Sequence, residues 1–148
     1  MPERKFSGRT LSRSQALQIL FQADATGRTV DDVLSGDYAI TQGPLDPYAE
    51  SLARGCGSMM PRLDETIAAA SQNWSMSRMP SVDRSLLRLA AYEMLAEPDV
   101  DVAVAISESV ELAKAYGTDD SPKFVNGVLG GIARGLDADV RPPAEGDE

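Results

Sequence analysis

The sequence contains no histidine and one cysteine, Cys56. The first absence removes the most frequent general base and the most frequent metal ligand. The second excludes an internal disulfide framework. No stretch approaches 18 consecutive apolar residues, so no membrane span is expected, and the opening MPERKFSGRT lacks the apolar run of a secretory signal. These gaps point to a cytoplasmic chain. GSMMPR and GVLGGIARG are rich in small residues, yet neither supplies the lysine and hydroxyl that follow a nucleotide-binding glycine loop. Enzymatic activity is not expected, and neither a cofactor nor a metal is implied.

The chain has 148 residues, the ordinary size of one domain, and carries a formal net charge of -9. An acidic average argues against general nucleic-acid binding, because phosphates are met mainly by lysine and arginine. The average hides an asymmetry. Residues 1–28 hold Arg4, Lys5, Arg9, Arg13 and Arg28 against Glu3 and Asp24, a net +3, which leaves -12 on the remaining 120 residues. A polyanion would therefore be met at the N-terminus; a solvated basic arm that aids solubility is the plainer reading of the same charges.

Hydrophobic spacing is helical throughout. A first helix is expected from Ser12 or Ser14 to Ala25, with Ala16, Leu17, Leu20 and Phe21 on one stripe and Gly27 as its stop. Thr29 suits the cap of a short helix in TVDDVL, and SGDYAITQGPLDP reads as a loop. A third helix should open at Asp46-Pro47 and bury Tyr48, Leu52, Cys56 and Met59, with a kink or restart at Pro61 and the stripe Leu63, Ile67, Ala70 beyond it. Ser81 is placed to cap a helix burying Val82, Leu86, Leu89, Ala90 and Met94. Asp99 or Asp101 opens the next, with Ile106, Val110, Ala113 and Tyr116 inward until Gly117. Ser121-Pro122 reads as cap and first helical position of a last helix whose core stripe is Val125, Val128, Leu129 and Ile132. DVDVAVAI alternates briefly but flows into a helical pattern. The expected architecture is all-α, about seven helices in two packed half-bundles: a flexible basic arm at 1–11, a helical domain at 12–136 and a disordered acidic tail at 137–148.

The last helix raises a question of its own. Gly127, Gly131 and Gly135 recur one per turn, each at a cost of about 1 kcal/mol of helix propensity. Either a neighbouring backbone approaches closely along that side, or the helix frays and the glycines act as stops. Lys123, Phe124 and Asn126 lie off the core stripe and offer a contact surface. The acidic pairs Asp31-Asp32, Asp99/Asp101 and Asp119-Asp120 are explained by capping and solvation.

With catalysis set aside, binding remains. The sequence resembles the NusB family of bacterial transcription antitermination factors. The resemblance is carried by SRSQALQILFQAD (12–24), NWSMSRM (73–79), VDRSLLRLAAYEML (82–95) and VAISESVELAKAYGTDDSPKFVNGVL (104–129), and is most specific in DSPKFVNGVL. It implies a seven-helix protein in two halves, without catalytic activity or cofactor. It also implies binding of the boxA element of ribosomal RNA transcripts as single-stranded RNA, together with a ribosomal protein acting as NusE, in the RNA polymerase antitermination complex. The family's RNA surface maps to Lys5, Arg9 and Arg13, with Arg4 added, and to Phe124. Asp83, Tyr92, Asp120 and Phe124 map near the joint surface with the NusE-type partner. The basic cluster is diluted here to RKFSGRTLSR, which implies weaker intrinsic RNA affinity and greater reliance on the partner. Ser107 stands where the family often has asparagine, and Gly130 where aspartate is usual. The alternative is a protein-only helical scaffold or homodimer, related to the module that forms the N-terminal domain of some ribosomal RNA cytosine methyltransferases.

Overall fold

The computed structural model describes residues 5–72 and 74–140, with side chains as far as 137. Among these residues there are seven α-helices: α1 (Gly8–Thr26), α2 (Val30–Ser35), α3 (Pro47–Ser58), α4 (Met60–Ala70), α5 (Ser81–Ala96), α6 (Val102–Tyr116) and α7 (Ser121–Val140), with a 3-10 turn at Met76–Arg78. The DVDVAVAI alternation resolves as the entry to α6, whose preceding Asp101 is extended.

Local chemistry sets most boundaries. Thr29 accepts the Asp32 N–H at the start of α2, and the Asp46 carboxylate accepts the Tyr48 and Ala49 N–H groups at the start of α3. Gly27 ends α1 at φ 69°, a left-handed conformation that glycine adopts without a Cβ penalty. Met59 separates α3 from α4, so Pro61 falls in the first turn of a restarted helix, where its missing N–H costs nothing.

The serines depart from expectation. Helix α1 begins at Gly8, well before Ser12, because the candidate caps are engaged elsewhere: Ser12 donates to the Asp46 carboxylate at 2.7 Å, and Ser14 pairs with the Tyr116 hydroxyl at 2.7 Å. Residues 8–11 of the expected arm are therefore helical. Ser81 donates to Asp24 instead of capping α5. Ser121 lies inside α7, whose first-turn N–H at Phe124 is accepted by the Asp120 carbonyl. At the far end α7 continues to Val140, past the expected start of the tail at 137; residues 141–148 lie outside those described.

One core joins all seven helices, from Leu17 and Ile19 through Val33, Leu52, Leu63 and Ile67 to Leu86, Leu112, Val125 and Leu129. Helix α5 packs against α1, α3, α4, α6 and α7 and so ties the two halves together. The buried face of α6 is rotated from the expected stripe: Ala105, Ser109, Leu112 and Ala113 are inside, whereas Ile106, Val110 and Tyr116 are half-buried. Small residues at 105, 109 and 113 let α6 lie close to its neighbours. Cys56 is wholly buried, its thiol directed to the Arg88 carbonyl at 3.7 Å, and burial pushes its pKa upward.

The glycine question resolves unevenly. A Cβ at Gly127 or Gly135 would meet open space, and only Gly131 faces a neighbour, with Ala70 Cβ at 3.3 Å from that point. The tight sites lie elsewhere. A Cβ at Gly55 would overlap the Tyr92 ring, and one at Gly117 would overlap the Ser121 side chain.

Candidate nucleic-acid and partner interface

The segment entering α1 carries Lys5, and the first turns of α1 carry Arg9 and Arg13. Lys5 and Arg9 are exposed, and Arg4 lies outside the described residues. The segment leading into α1 is held by Phe6, whose N–H and carbonyl bond the side chain of Gln42 at 3.0 and 3.1 Å. The guanidinium carbon of Arg9 lies 3.8 Å from the centroid of the Tyr48 ring, a cation–π arrangement. The Tyr48 hydroxyl donates to Glu93 at 2.7 Å; burial and this carboxylate push its pKa up.

Arg13, one turn further on, was expected to face an anion. It is turned inward instead. Its Nε donates to both Glu93 oxygens at 2.8 and 3.0 Å and its Nη1 to Glu108 at 3.0 Å. Burial alone would lower the pKa of this guanidinium, but the two carboxylates outweigh it and raise it. Glu108 also accepts the Thr10 hydroxyl at 2.6 Å. A buried arginine between two carboxylates thus locks α1 to α5 and α6. The physical reason is desolvation: once Glu93 is 1% exposed, its charge requires a partner inside the fold.

A second cluster lies around the start of α7. Phe124 is half-buried and meets Trp74 edge to face, with ring centroids 5.8 Å apart. Trp74 is 49% exposed, and a shallow basin beside the two rings is bordered by Gln72, Asp120, Lys123 and Gly127. Asp120 is exposed. Asp83 is not: it is buried and accepts the Ser121 hydroxyl at 2.6 Å, while Ser121 accepts the Thr118 N–H at 2.9 Å. Burial raises the Asp83 pKa, and the Ser121 hydrogen bond opposes the shift only in part. Asp83 therefore fixes the turn that presents Asp120 and Phe124.

Tyr92 lies apart from Asp83, Asp120 and Phe124. Nine residues beyond Asp83 on α5, about 13 Å along the axis, its half-buried ring fills the space left by Gly55. It shares this half of α5 with Glu93. Burial, and secondarily the charge of Glu97, raises its pKa. The expected site residues thus divide between the two ends of α5.

Sequence reasoning assigned no site role to Tyr48, expected only on the buried face of the third helix, nor to Trp74, Glu93 and Glu108. Glu93 had a signal, an acid within the apolar run LAAYEML and one turn from core Leu89. Such a residue needs a buried cation, and Arg13 sits between Ser12 and Ser14 on an equally buried stretch of α1.

Among the described residues, no group of three His, Cys, Asp or Glu side chains is arranged to hold a metal ion. No helix among them is long and apolar enough to cross a membrane. Arg9, an exposed cation over an aromatic ring, lies toward one end of α5, and the pair of Trp74 and Phe124, with Trp74 half exposed, lies toward the other; both are surface features of this helical module suited to contact with a partner.

Comparison with known proteins narrows this class. Residues 10–134 match the model of the NusB family. The transcription antitermination protein NusB of Salinispora tropica is 46% identical over 128 residues, covering 84% of this chain and 94% of the relative. The solved structure of T. maritima NusB aligns with a TM-score of 0.74 at 34% identity, covering 88% of this chain and 93% of that one. A crystal structure of the antitermination factors NusB and NusE in complex with dsRNA aligns with a TM-score of 0.71 at 25% identity, covering 86% and 96%. The chain belongs to the NusB family, and membership carries a general role in transcription antitermination and no catalytic activity.

Proposed function

We propose that this protein is a cytoplasmic antitermination factor that binds boxA-type single-stranded RNA of ribosomal RNA transcripts jointly with a NusE-type ribosomal protein, within the RNA polymerase antitermination complex. The observation that carries this reading is the likeness to a NusB chain solved with NusE and dsRNA, taken with exposed Lys5 and Arg9 on an otherwise acidic protein. Lys5 and Arg9, with Arg4 before them, meet phosphates. Arg13 acts by fixing α1 instead of touching RNA. Phe124 and Asp120 form the second contact, held in place by Asp83 through Ser121. Tyr92 contributes from the α3 side.

Few basic contacts give weak binding that falls steeply with salt, so the partner is needed for a stable assembly. Co-elution in size-exclusion chromatography tests this. The protein, a NusE-type protein and a boxA RNA should migrate as one species, and omission of the partner should release the RNA. Failure of the three to co-elute at low salt contradicts the proposal.

A specific observation favours self-association in the free state as a second reading. Phe21 is 37% exposed beside an apolar groove lined by Leu17, Ala39, Val82 and Tyr116. Sedimentation of the free protein should show dimers that Phe21→Ser abolishes; a monomer at all concentrations rejects this reading.

A further inference from the structure

We propose that Arg9 and Tyr48 together form a platform for one unpaired RNA base, the Tyr48 ring backing the guanidinium from below and the base stacking on its outer face. The inference rests on the RNA-binding reading above and adds to it a residue, Tyr48, and a mode of contact.

The geometry supplies the surface. Arg9 is exposed in the first turn of α1 and lies over the Tyr48 ring at 3.8 Å from its centroid. Guanidinium planes are themselves stacking surfaces for unstacked bases. An arginine already laid on an aromatic ring loses less freedom when a ligand arrives.

The platform is also anchored from beneath. Tyr48 is held by its hydroxyl on Glu93, Glu93 by Arg13, and Arg13 by Glu108, which takes the hydroxyl of Thr10 next to Arg9. Three carboxylates stand near, and each has other partners: Asp46 has Ser12 and the start of α3, Glu93 has Arg13 and Tyr48, and Glu108 has Arg13 and Thr10. The Ser12 hydrogen bond and then the Tyr48 and Ala49 N–H groups, against the opposing effect of burial, hold the Asp46 carboxyl below its usual range, and the charge of Arg9 is the smallest of the contributions. Among the described residues, none forms an ion pair with Arg9 itself. A cation fixed on a ring and without an ion-pair partner among the described residues is suited to an anionic, aromatic ligand such as a nucleotide.

The test is an anisotropy titration of a fluorescein-labelled 12-nucleotide boxA-like RNA in the presence of the NusE-type protein. RNAs carrying one abasic position at a time are titrated alongside. Wild type is read first, since absence of binding there rejects the RNA reading itself. Given binding, Tyr48→Leu should weaken it about two- to fivefold, the ordinary strength of an exposed cation–π contact, with the salt slope unchanged. Tyr48→Phe keeps the ring but gives up its hydroxyl anchor on Glu93, and should lose less than Tyr48→Leu. Arg9→Gln should lower the slope by about 0.7, and one abasic position that weakens wild type should have no effect in this variant. The platform is rejected if Tyr48→Leu binds like wild type, if Tyr48→Phe loses as much as Tyr48→Leu, or if every abasic penalty persists in Arg9→Gln. Should Tyr48→Leu fail to fold, the abasic series on Arg9→Gln decides alone.

Discussion

Arg13 of α1 and Glu93 of α5, eighty positions apart in the chain, meet inside the protein with Nε 2.8 and 3.0 Å from the two carboxylate oxygens. Both side chains are buried, at 7% and 1% exposure. Removing one partner of such a pair strands the other charge, whereas removing both need not destabilise. Arg13→Met or Glu93→Leu alone should therefore lose about 3 to 5 kcal/mol in urea unfolding, and the double variant should lose less than their sum. Independent, additive losses would contradict an inward Arg13.

Two aspartates should respond to pH with opposite sign. At Asp24, burial would raise the pKa, but hydrogen bonds from Arg84 and Ser81 and the charges of Arg84 and Arg88 prevail and hold it below the carboxylate range. Its stabilising contribution is present above the unfolded value of about 3.9 and is lost as pH falls through the lower folded value. Asp83 is raised by burial, so its folded form holds the proton more tightly and stability declines as pH rises from the unfolded value through the folded one. Asp24→Asn should lower the urea midpoint at pH 7 and converge on wild type in acid. Asp83→Asn, which still offers Ser121 an acceptor, should raise the midpoint at pH 7. Shifts of the same sign for both at pH 7 would reject this assignment.

Glycine substitutions separate close packing from helix propensity. Gly127→Ala enters open space and should gain up to about 1 kcal/mol. Gly55→Ala drives a methyl group into the Tyr92 ring and should cost about 1 to 3 kcal/mol. Thermal unfolding of the two variants checks the contrast, and destabilisation by Gly127→Ala would mean that its side of α7 is covered.

Phe124→Ala should leave helicity intact, because the ring is half-buried at the surface, while changing the fluorescence of its neighbour Trp74 and weakening assembly with RNA and the NusE-type protein. Circular dichroism and co-elution measure the two effects separately. Lost helicity would instead make Phe124 a core residue.

What was legible in the sequence was mostly local. Thr29, Asp46 and Gly27 mark helix ends with groups that bond their own neighbourhood, and the stripe Val125, Val128, Leu129 and Ile132 is buried as its spacing implies. Ser12, Ser81 and Ser121 misled because a hydroxyl bonds a distant carboxylate as readily as a nearby N–H. Of the candidate site residues, Lys5, Arg9 and Asp120 lie at the surface and Phe124 is half-buried, as expected of positions off the core stripes. The inward turn of Arg13 and the burial of Asp83 depend on partners 80 and 38 positions away, which only the packed chain brings together.

The central claim is joint recognition of a particular RNA, and fluorescence anisotropy tests it most directly. A boxA-like RNA and a scrambled control would be titrated at low and near-physiological salt, with and without the NusE-type protein. Tighter binding of the boxA-like RNA than of the control, strengthened by the partner and retained at the higher salt, is the predicted result. Equal and weak binding of both RNAs with the partner present would contradict the account and leave protein association as the role of this fold.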